Sequence, residues 1–351
     1  MHSGPKEKGI SLAADSKIAV VRLSALGDIV HTLPAVANLT RAFPDCKVHW
    51  ICSPPADRLL SLFDVADQVI PIDIRNRNMV GAISEVRAFR NKYRGEYSVA
   101  VDFQGLLKSA LVARLVSRNT LGFHTVDLRE ALAARAYRFQ PKPWAGSGHV
   151  IQKNLHLLTA LGISGASVQY PKLLPQKESP HLQRFLDGLD PGADGFIIIN
   201  VGAGWPTKTP TPELLIRVGR WLRNRIPAVL LWGTPAEHES AVFISSATGI
   251  PVTPKTDFVA LSQLIGAAKL LLSGDTLALH LADVMETPSV GLFAPTSPQR
   301  NGSLLKYSRS VTAETDCRFC YRRACGKMNC MALIPPEVVT SAISEVLNAS
   351  V

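Results

Sequence analysis

Short apolar runs alternate with longer amphipathic segments along nearly the whole chain. Lys17–Leu23 (KIAVVRL), Lys47–Cys52 (KVHWIC), Gln68–Ile72, Ser98–Phe103 (SVAVDF) and Thr120–Phe123 read as strands. Ile29–Ala42, Val80–Lys92, Leu106–Ser117 and Val150–Leu161 read as helices, with Pro34 early in the first and Gly162 ending the last. Tyr170–Pro180 (YPKLLPQKESP) then breaks the pattern with three Pro and no period, as a linker would. Beyond it the alternation restarts. Phe196–Val201 (FIIINV), Ala228–Trp232, Leu270–Ser273 and Ser289–Phe293 are strands; Pro212–Arg225, Glu237–Ala247, Leu261–Ala268 and Leu277–Met285 are helices. A last helix covers Pro336–Asn348. Strands separated by helices imply parallel sheets with right-handed crossovers. The fold class is therefore α/β, two doubly wound Rossmann-like domains facing across a cleft. The expected boundaries are a disordered tail at 1–16, a first domain at 17–169, a linker at 170–190, a second domain at 191–334 and a terminal helix at 335–351.

A length of 351 residues suits two domains of roughly 100–200 residues each. A hydrophobic content of 46% supplies two cores and excludes a wholly disordered chain. The net charge of +10 favours acidic partners without choosing among them. Aromatics are 7% and are not interleaved with Lys and Arg, so a nucleic-acid stacking platform is not expected. No apolar run nears the roughly 20 residues that span a bilayer, and the polar start has no signal-peptide core. The expected location is the cytoplasm.

Open parallel sheets bind ligands beyond the carboxyl ends of their strands. Four loops at such places carry polar chemistry. Ser24-Ala25-Leu26-Gly27-Asp28 follows the first strand, and Asp28 is either a helix N-cap or a general base. His31, one turn on, packs or assists. Gly202-Ala203-Gly204-Trp205-Pro206-Thr207-Lys208 nearly matches a phosphate-binding P-loop. However, Thr207 replaces its second Gly and Pro206 removes a backbone donor, so only a Gly-rich turn closed by Lys208 remains. Gly233–Glu239 offers Glu237 and Glu239 as ribose acceptors or as residues placed on a helix dipole. Gly274–His280 opens a helix with Asp275 and Thr276, an anion site or an ordinary cap, with His280 one turn further in.

LSALGDIVHTLPAV, DFQGLLKSA, WGTPAEHE and GDTLALHLA occur in that order, and together they resemble glycosyltransferase family nine, nearest to its lipopolysaccharide heptosyltransferases. The resemblance implies a GT-B fold with an acceptor-binding first domain and a nucleotide-sugar-binding second domain. It implies inverting, metal-independent transfer of heptose from ADP-heptose to the Kdo of the inner lipopolysaccharide core, with no catalytic cofactor. In that pattern Asp28 is the base and Lys208 contacts the donor phosphates. Glu237 or Glu239 holds the ribose, and Asp275, Thr276 and His280 belong to the last donor motif, where Leu277 replaces the usual Gly. Lys108 and Arg129 are candidates for the acidic, lipid-linked acceptor, with plain surface charge as the alternative. Peripheral contact with an anionic membrane follows from such an acceptor. A transferase or epimerase acting on another nucleotide-sugar, or a non-catalytic nucleotide-sugar-binding module, are the other readings. The epimerase would need a second acid/base, and the binding module has no use for a carboxylate aimed at an uncharged hydroxyl.

Cys317-x2-Cys320-x4-Cys325-x4-Cys330 crowds four thiols among Arg318, Arg322, Arg323 and Lys327. A closed four-sulfur site would be structural, and zinc or iron would suit it. Unmetallated thiols or a disulfide formed during handling are the alternatives.

Overall fold

The computed structural model describes residues 12–74, 78–146, 148–189, 195–326 and 330–349. The chain divides into two compact units, Met1–Pro175 and Gln176–Val351, so the division falls inside the expected linker.

The first unit runs β1 (Lys17–Val21), α1 (Leu26–Val30), α2 (Leu33–Ala42), β2 (Lys47–Cys52), α3 (Ala56–Leu60), β3 (Gln68–Pro71), α4 (Met79–Tyr93), β4 (Val99–Asp102), α5 (Leu107–Val116), β5 (Thr120–Leu121) and α6 (Val150–Leu157). Its strands pair in parallel in the order β3-β2-β1-β4-β5. Ile18 to Val21 are wholly buried, as a central strand covered on both faces requires. The expected helix Ile29–Ala42 is two helices, broken at His31 and Thr32. Of the expected tail, residues 1–11 lie outside the described residues. Asp15 donates its N–H to the Asp45 carbonyl at 3.0 Å, beside β1.

The second unit runs α7 (Pro180–Asp187), β6 (Ile197–Asn200), α8 (Pro212–Leu222), β7 (Ala228–Leu231), α9 (Pro235–Thr248), α10 (Phe258–Ala267), β8 (Leu270–Gly274), α11 (Leu277–Val284), β9 (Ser289–Phe293), α12 (Pro298–Asn301), β10 (Arg309–Thr312) and α13 (Pro336–Ala349). The strand order is β10-β9-β8-β6-β7, again all parallel. α7, eight residues long, lies inside the expected linker. Ser179 starts it by accepting the Leu182 N–H, and Pro180 supplies a preset first turn. Val339, Ile343 and Val346 of α13 are buried in the same core as β6, β8 and α8. Two α/β units, each with one parallel sheet, are thus as the sequence predicts. No helix among the described residues is long and apolar enough to cross a membrane.

Each sheet has one switch point, where connections leave in opposite directions. In the first unit it lies between β1 and β4, in the second between β6 and β8. The β4 side is fixed by Asp102, the aspartate of the DFQG segment, which is fully buried. It accepts from Tyr137 Oη (2.7 Å), Ser109 Oγ (2.8 Å) and the N–H groups of Gln104 (2.8 Å) and Gly105 (3.2 Å). Burial pushes its carboxyl up, and these donors oppose that shift. With its oxygens engaged, Asp102 braces the turn that follows β4. Tyr137→Phe is expected to destabilise the first unit by about 1.5–3 kcal/mol, the range for a buried hydrogen bond to a charged group. Denaturant midpoints of variant and parent check this; equal midpoints would mean the Asp102 brace does not depend on Tyr137.

Candidate functional site

In the first unit the chain leaves β1 through Arg22 and Leu23. Arg22 is a charged residue in an apolar strand, and it is buried. Its guanidinium donates to the Phe103 carbonyl at the end of β4, and Nη2 lies 2.9 Å from Asp28 Oδ2. The Leu23 N–H donates to Gln104 Oε1 at 2.8 Å, closing the same seam. Asp28 is not an N-cap: α1 starts at Leu26, and Asp28 is its third residue. Its Oδ2 also accepts the Ala25 N–H at 3.3 Å. The side chain is 40% exposed, and Oδ1 has no protein partner among the described residues. The outcome is a carboxylate fixed through one oxygen and open at the other. His31 is buried and stands edge-on to His149, with centroids 5.4 Å apart, so it packs. Lys108, the second residue of α5, and Arg129 are both exposed. Glu130, next to Arg129, accepts the Leu107 N–H at 2.7 Å, which brings both cations to the start of α5.

In the second unit Lys208 and Asp275 come together at the switch point. Lys208 Nζ donates to the Asp275 carbonyl (2.7 Å) and to its Oδ2 (3.0 Å). Asp275 Oδ1 lies 3.1 Å from His280 Nε2, and Asn301 Nδ2 donates to Oδ2 at 3.1 Å. Burial alone would push the Asp275 carboxyl up. The hydrogen bonds and charges of His280 and Lys208 outweigh burial and hold it well below the usual carboxylate range. Asp275 and His280 are therefore buried parts that orient Lys208. Gly274 makes this approach possible, since a Cβ there would meet the Lys208 carbonyl oxygen at 2.8 Å. Asn200, at the end of β6, donates to Ser273 Oγ (2.9 Å) and Thr276 Oγ1 (3.2 Å), tying β6 to the turn after β8. Thr276 directly precedes α11, whose first N–H groups lack helical acceptors and suit an anion.

The two glutamates separate. Glu237 Oε2 accepts the N–H groups of Gly233 (2.8 Å) and Thr234 (2.9 Å), and its carboxyl lies so close over Gly202 that a Cβ there would overlap it. Glu239 is exposed on α9. Only Glu237 stands at the turn that follows β6.

The cysteine loop folds onto this second-unit site. Phe319 and Tyr321 donate their N–H groups to the carbonyls of Ala294 and Pro295, each at 2.8 Å. Thr207 Oγ1 donates to the Arg322 carbonyl at 2.7 Å. The Trp205 ring then has Lys208 Nζ 4.4 Å and Arg323 Cζ 5.0 Å from its centroid. The thiols of Cys317, Cys320 and Cys325 are exposed and that of Cys330 is half-buried. Burial pushes the Cys330 thiol up, and the charges of Cys320, Cys317 and Cys325 add to that. No group of three or more His, Cys, Asp or Glu among the described residues is placed to share an ion, so the expected zinc or iron site has no support here. The loop's backbone docks on the β9 end while three of its thiols face outward. Lys327 lies outside the described residues.

Arg22, Asn200 and Gln104 are absent from the sequence reading. Arg22 and Asn200 did leave a signal: each is a polar residue at or just beyond the end of an otherwise apolar strand.

A family model for glycosyltransferase family 9 (heptosyltransferase) matches residues 86–330. Lipopolysaccharide heptosyltransferase 1 of Pseudomonas aeruginosa is 28% identical over 88% of this chain and 87% of its own length. The structure of Escherichia coli heptosyltransferase WaaC with ADP aligns with a TM-score of 0.74 at 24% identity, covering 94% of this chain and 99% of that one. The same enzyme with ADP-2-deoxy-2-fluoro heptose gives 0.70 at 23%, with the same coverage.

The Asp275 geometry makes stability depend on pH with a definite sign. A carboxylate held below its ordinary value contributes stability above about pH 4, and loses it as pH falls below that. The second unit of the parent is expected to melt progressively lower on acidification through this range. Asp275→Asn should start lower at neutral pH and fall less steeply. Parallel pH–melting curves for the two proteins would show that Asp275 is not what titrates.

Proposed function

We propose, from the premise that this chain belongs to glycosyltransferase family 9, that it transfers heptose from ADP-heptose to the Kdo of the inner lipopolysaccharide core. The observation that carries the reading is Asp28, clamped by a buried guanidinium through Oδ2 and open at Oδ1. A module that only binds gains nothing from such a group, and an epimerase would need a second acid/base. The P. aeruginosa relative's name and the ADP-heptose analogue in the WaaC structure support the donor and the pathway.

The chemistry follows from these residues. Asp28 Oδ1 takes the proton of an acceptor hydroxyl, and that oxygen forms a bond to the anomeric carbon of the heptose. The bond from this carbon to the phosphate oxygen breaks on the opposite side, so configuration inverts and ADP leaves. Negative charge collects on the diphosphate. Lys208, held by Asp275, and the N–H groups at the start of α11 meet it, which supplies electrostatic stabilisation without a divalent cation. Glu237 accepts from the ribose hydroxyls. Lys108 and Arg129 face the acidic acceptor. The work is placed at the inner face of the cytoplasmic membrane, where a lipid-linked acceptor is met.

Asp28→Asn is expected to fold and bind donor but not to transfer, read by product formation alongside donor titration. Near-parental turnover would remove Asp28 as the base. Arg22→Met should lower kcat at unchanged donor KM, with Arg22→Lys recovering part of it; equal losses in both variants would reduce Arg22 to a packing residue. Lys208→Ala should cost about 1.5–3 kcal/mol of transition-state stabilisation, roughly ten- to a hundred-fold in kcat/KM. Unchanged kcat and KM would place the donor phosphates elsewhere. Transfer is expected to persist in EDTA; abolition by chelator and recovery with Mg²⁺ would sink the metal-independent part.

A further inference from the structure

Among the described residues, two neighbouring helices of the first unit leave an apolar and cationic face without a partner. α4 and α5 pack side by side on one face of the first sheet, joined to it through Phe89, Val112, Ala113 and Val116. On α4, Met79, Val80, Ile83, Arg87 and Arg90 fall within an arc of about 100° at 3.6 residues per turn. On α5, Leu107, Lys108, Leu111 and Arg114 share a similar arc. All are exposed: Met79 by 80%, Val80 by 77%, Ile83 by 48%, Leu107 by 41% and Leu111 by 54%. Isolated exposed apolar residues are ordinary, but five on two adjoining helices are not.

The charge of the face is one-sided. Glu85 is the one acid on either helix, and it lies on the far side of α4 from these residues and is half-buried. The stretch packed against the start of α5 adds exposed Arg129 and Arg135, with Glu130 bonded to the Leu107 N–H and Leu132 57% exposed. The apolar residues come first along each helix and the arginines follow. Both helices begin at the carboxyl end of the sheet, where Asp28 stands.

We propose that the outward faces of α4 and α5 dock the protein on an anionic lipid bilayer. Met79, Val80, Ile83, Leu107 and Leu111 enter the headgroup–acyl boundary, while Arg87, Arg90 and Arg114 pair with acidic headgroups. The apolar part is what separates this surface from one built for a free anion or for nucleic acid. The inference deepens the reading of a lipid-linked acceptor and rests on it for its purpose. Because the face lies at the same end of the sheet as Asp28, docking would hold the base near the membrane surface.

The test is sedimentation of the full chain with phosphatidylethanolamine–phosphatidylglycerol vesicles and with phosphatidylcholine vesicles. The parent is expected to pellet with the first and stay in solution with the second. Ile83→Glu combined with Leu111→Glu should lower partitioning about tenfold or more, and Arg87→Glu combined with Arg90→Glu should do the same and flatten its salt dependence. Melting temperature and transfer to a soluble, deacylated acceptor should stay at the parent's values in both. Variants that pellet like the parent, or a parent that ignores the anionic vesicles, overturn the proposal. So does a parent dimer that Ile83→Glu splits, since the face would then belong to a second copy. A parent that binds vesicles as expected but transfers nothing to the soluble acceptor would sink the proposed transfer and leave the docking surface standing.

Discussion

The second unit is organised around a lysine that is itself nearly buried. Lys208 is 13% exposed and its partner Asp275 3%. Burying either alone would cost several kcal/mol, and the pair is tolerable because hydrogen bonds fill the remaining valences. Asp275 spends one oxygen on His280 and the other on Lys208 and Asn301. Much around it follows from that demand. Gly274 has no Cβ so that the Lys208 backbone can approach β8. Asn200 holds the turn after β8, and His280 is placed one helical turn into α11.

The two units solve one problem in the same way. Each is a parallel sheet whose connections diverge at one switch point, and each sets one charged side chain there against a buried partner of opposite charge. In the first, buried Arg22 holds the more open Asp28. In the second, buried Asp275 holds the more open Lys208. The partner leaves the more open side chain of each pair little rotamer freedom, the preorganisation that the proposed transfer would use. It also explains why an apolar strand can end in arginine: the guanidinium reaches both Asp28 and the Phe103 carbonyl across the seam between β1 and β4.

All strands but β10 were legible because buried parallel strands are short apolar runs, and the loops that follow them could be named from that alone. Asp28, Lys208 and Asp275 stood in those loops. Their division of labour was not legible, because it depends on contacts across the sheet: Asp275 lies 67 positions from Lys208. Glu237 and Glu239 differ by two positions on one helix, and only the closeness of Gly202 separates them. β10 went unseen because RSVT is an edge strand with one buried residue, and α7 because prolines mark helix starts as well as linkers. The cysteine spacing suggested a metal, but spacing does not say where thiols point when the backbone between them is committed to β9.

That last point changes what the cysteine loop contributes. Its contacts with the rest of the second unit include carbonyls, amides, the Tyr321 hydroxyl, which accepts the Ser297 N–H, and Arg323, while three of its cysteines are exposed. Arg323 is thereby held against one side of the Trp205 ring system that Lys208 also touches. Because Asp275 compensates Lys208, the pair alone carries little net charge. In the proposed transfer Lys208 would therefore act together with the start of α11 and with Arg323, which the loop sets beside Trp205. Charge on a loop anchored at Ala294, Pro295 and Thr207 adds to the local field without another buried ion, so its desolvation cost is small. A nearly neutral buried pair gives rigidity and the exposed Arg323 beside Trp205 adds field, the two properties that the proposed leaving diphosphate would call on.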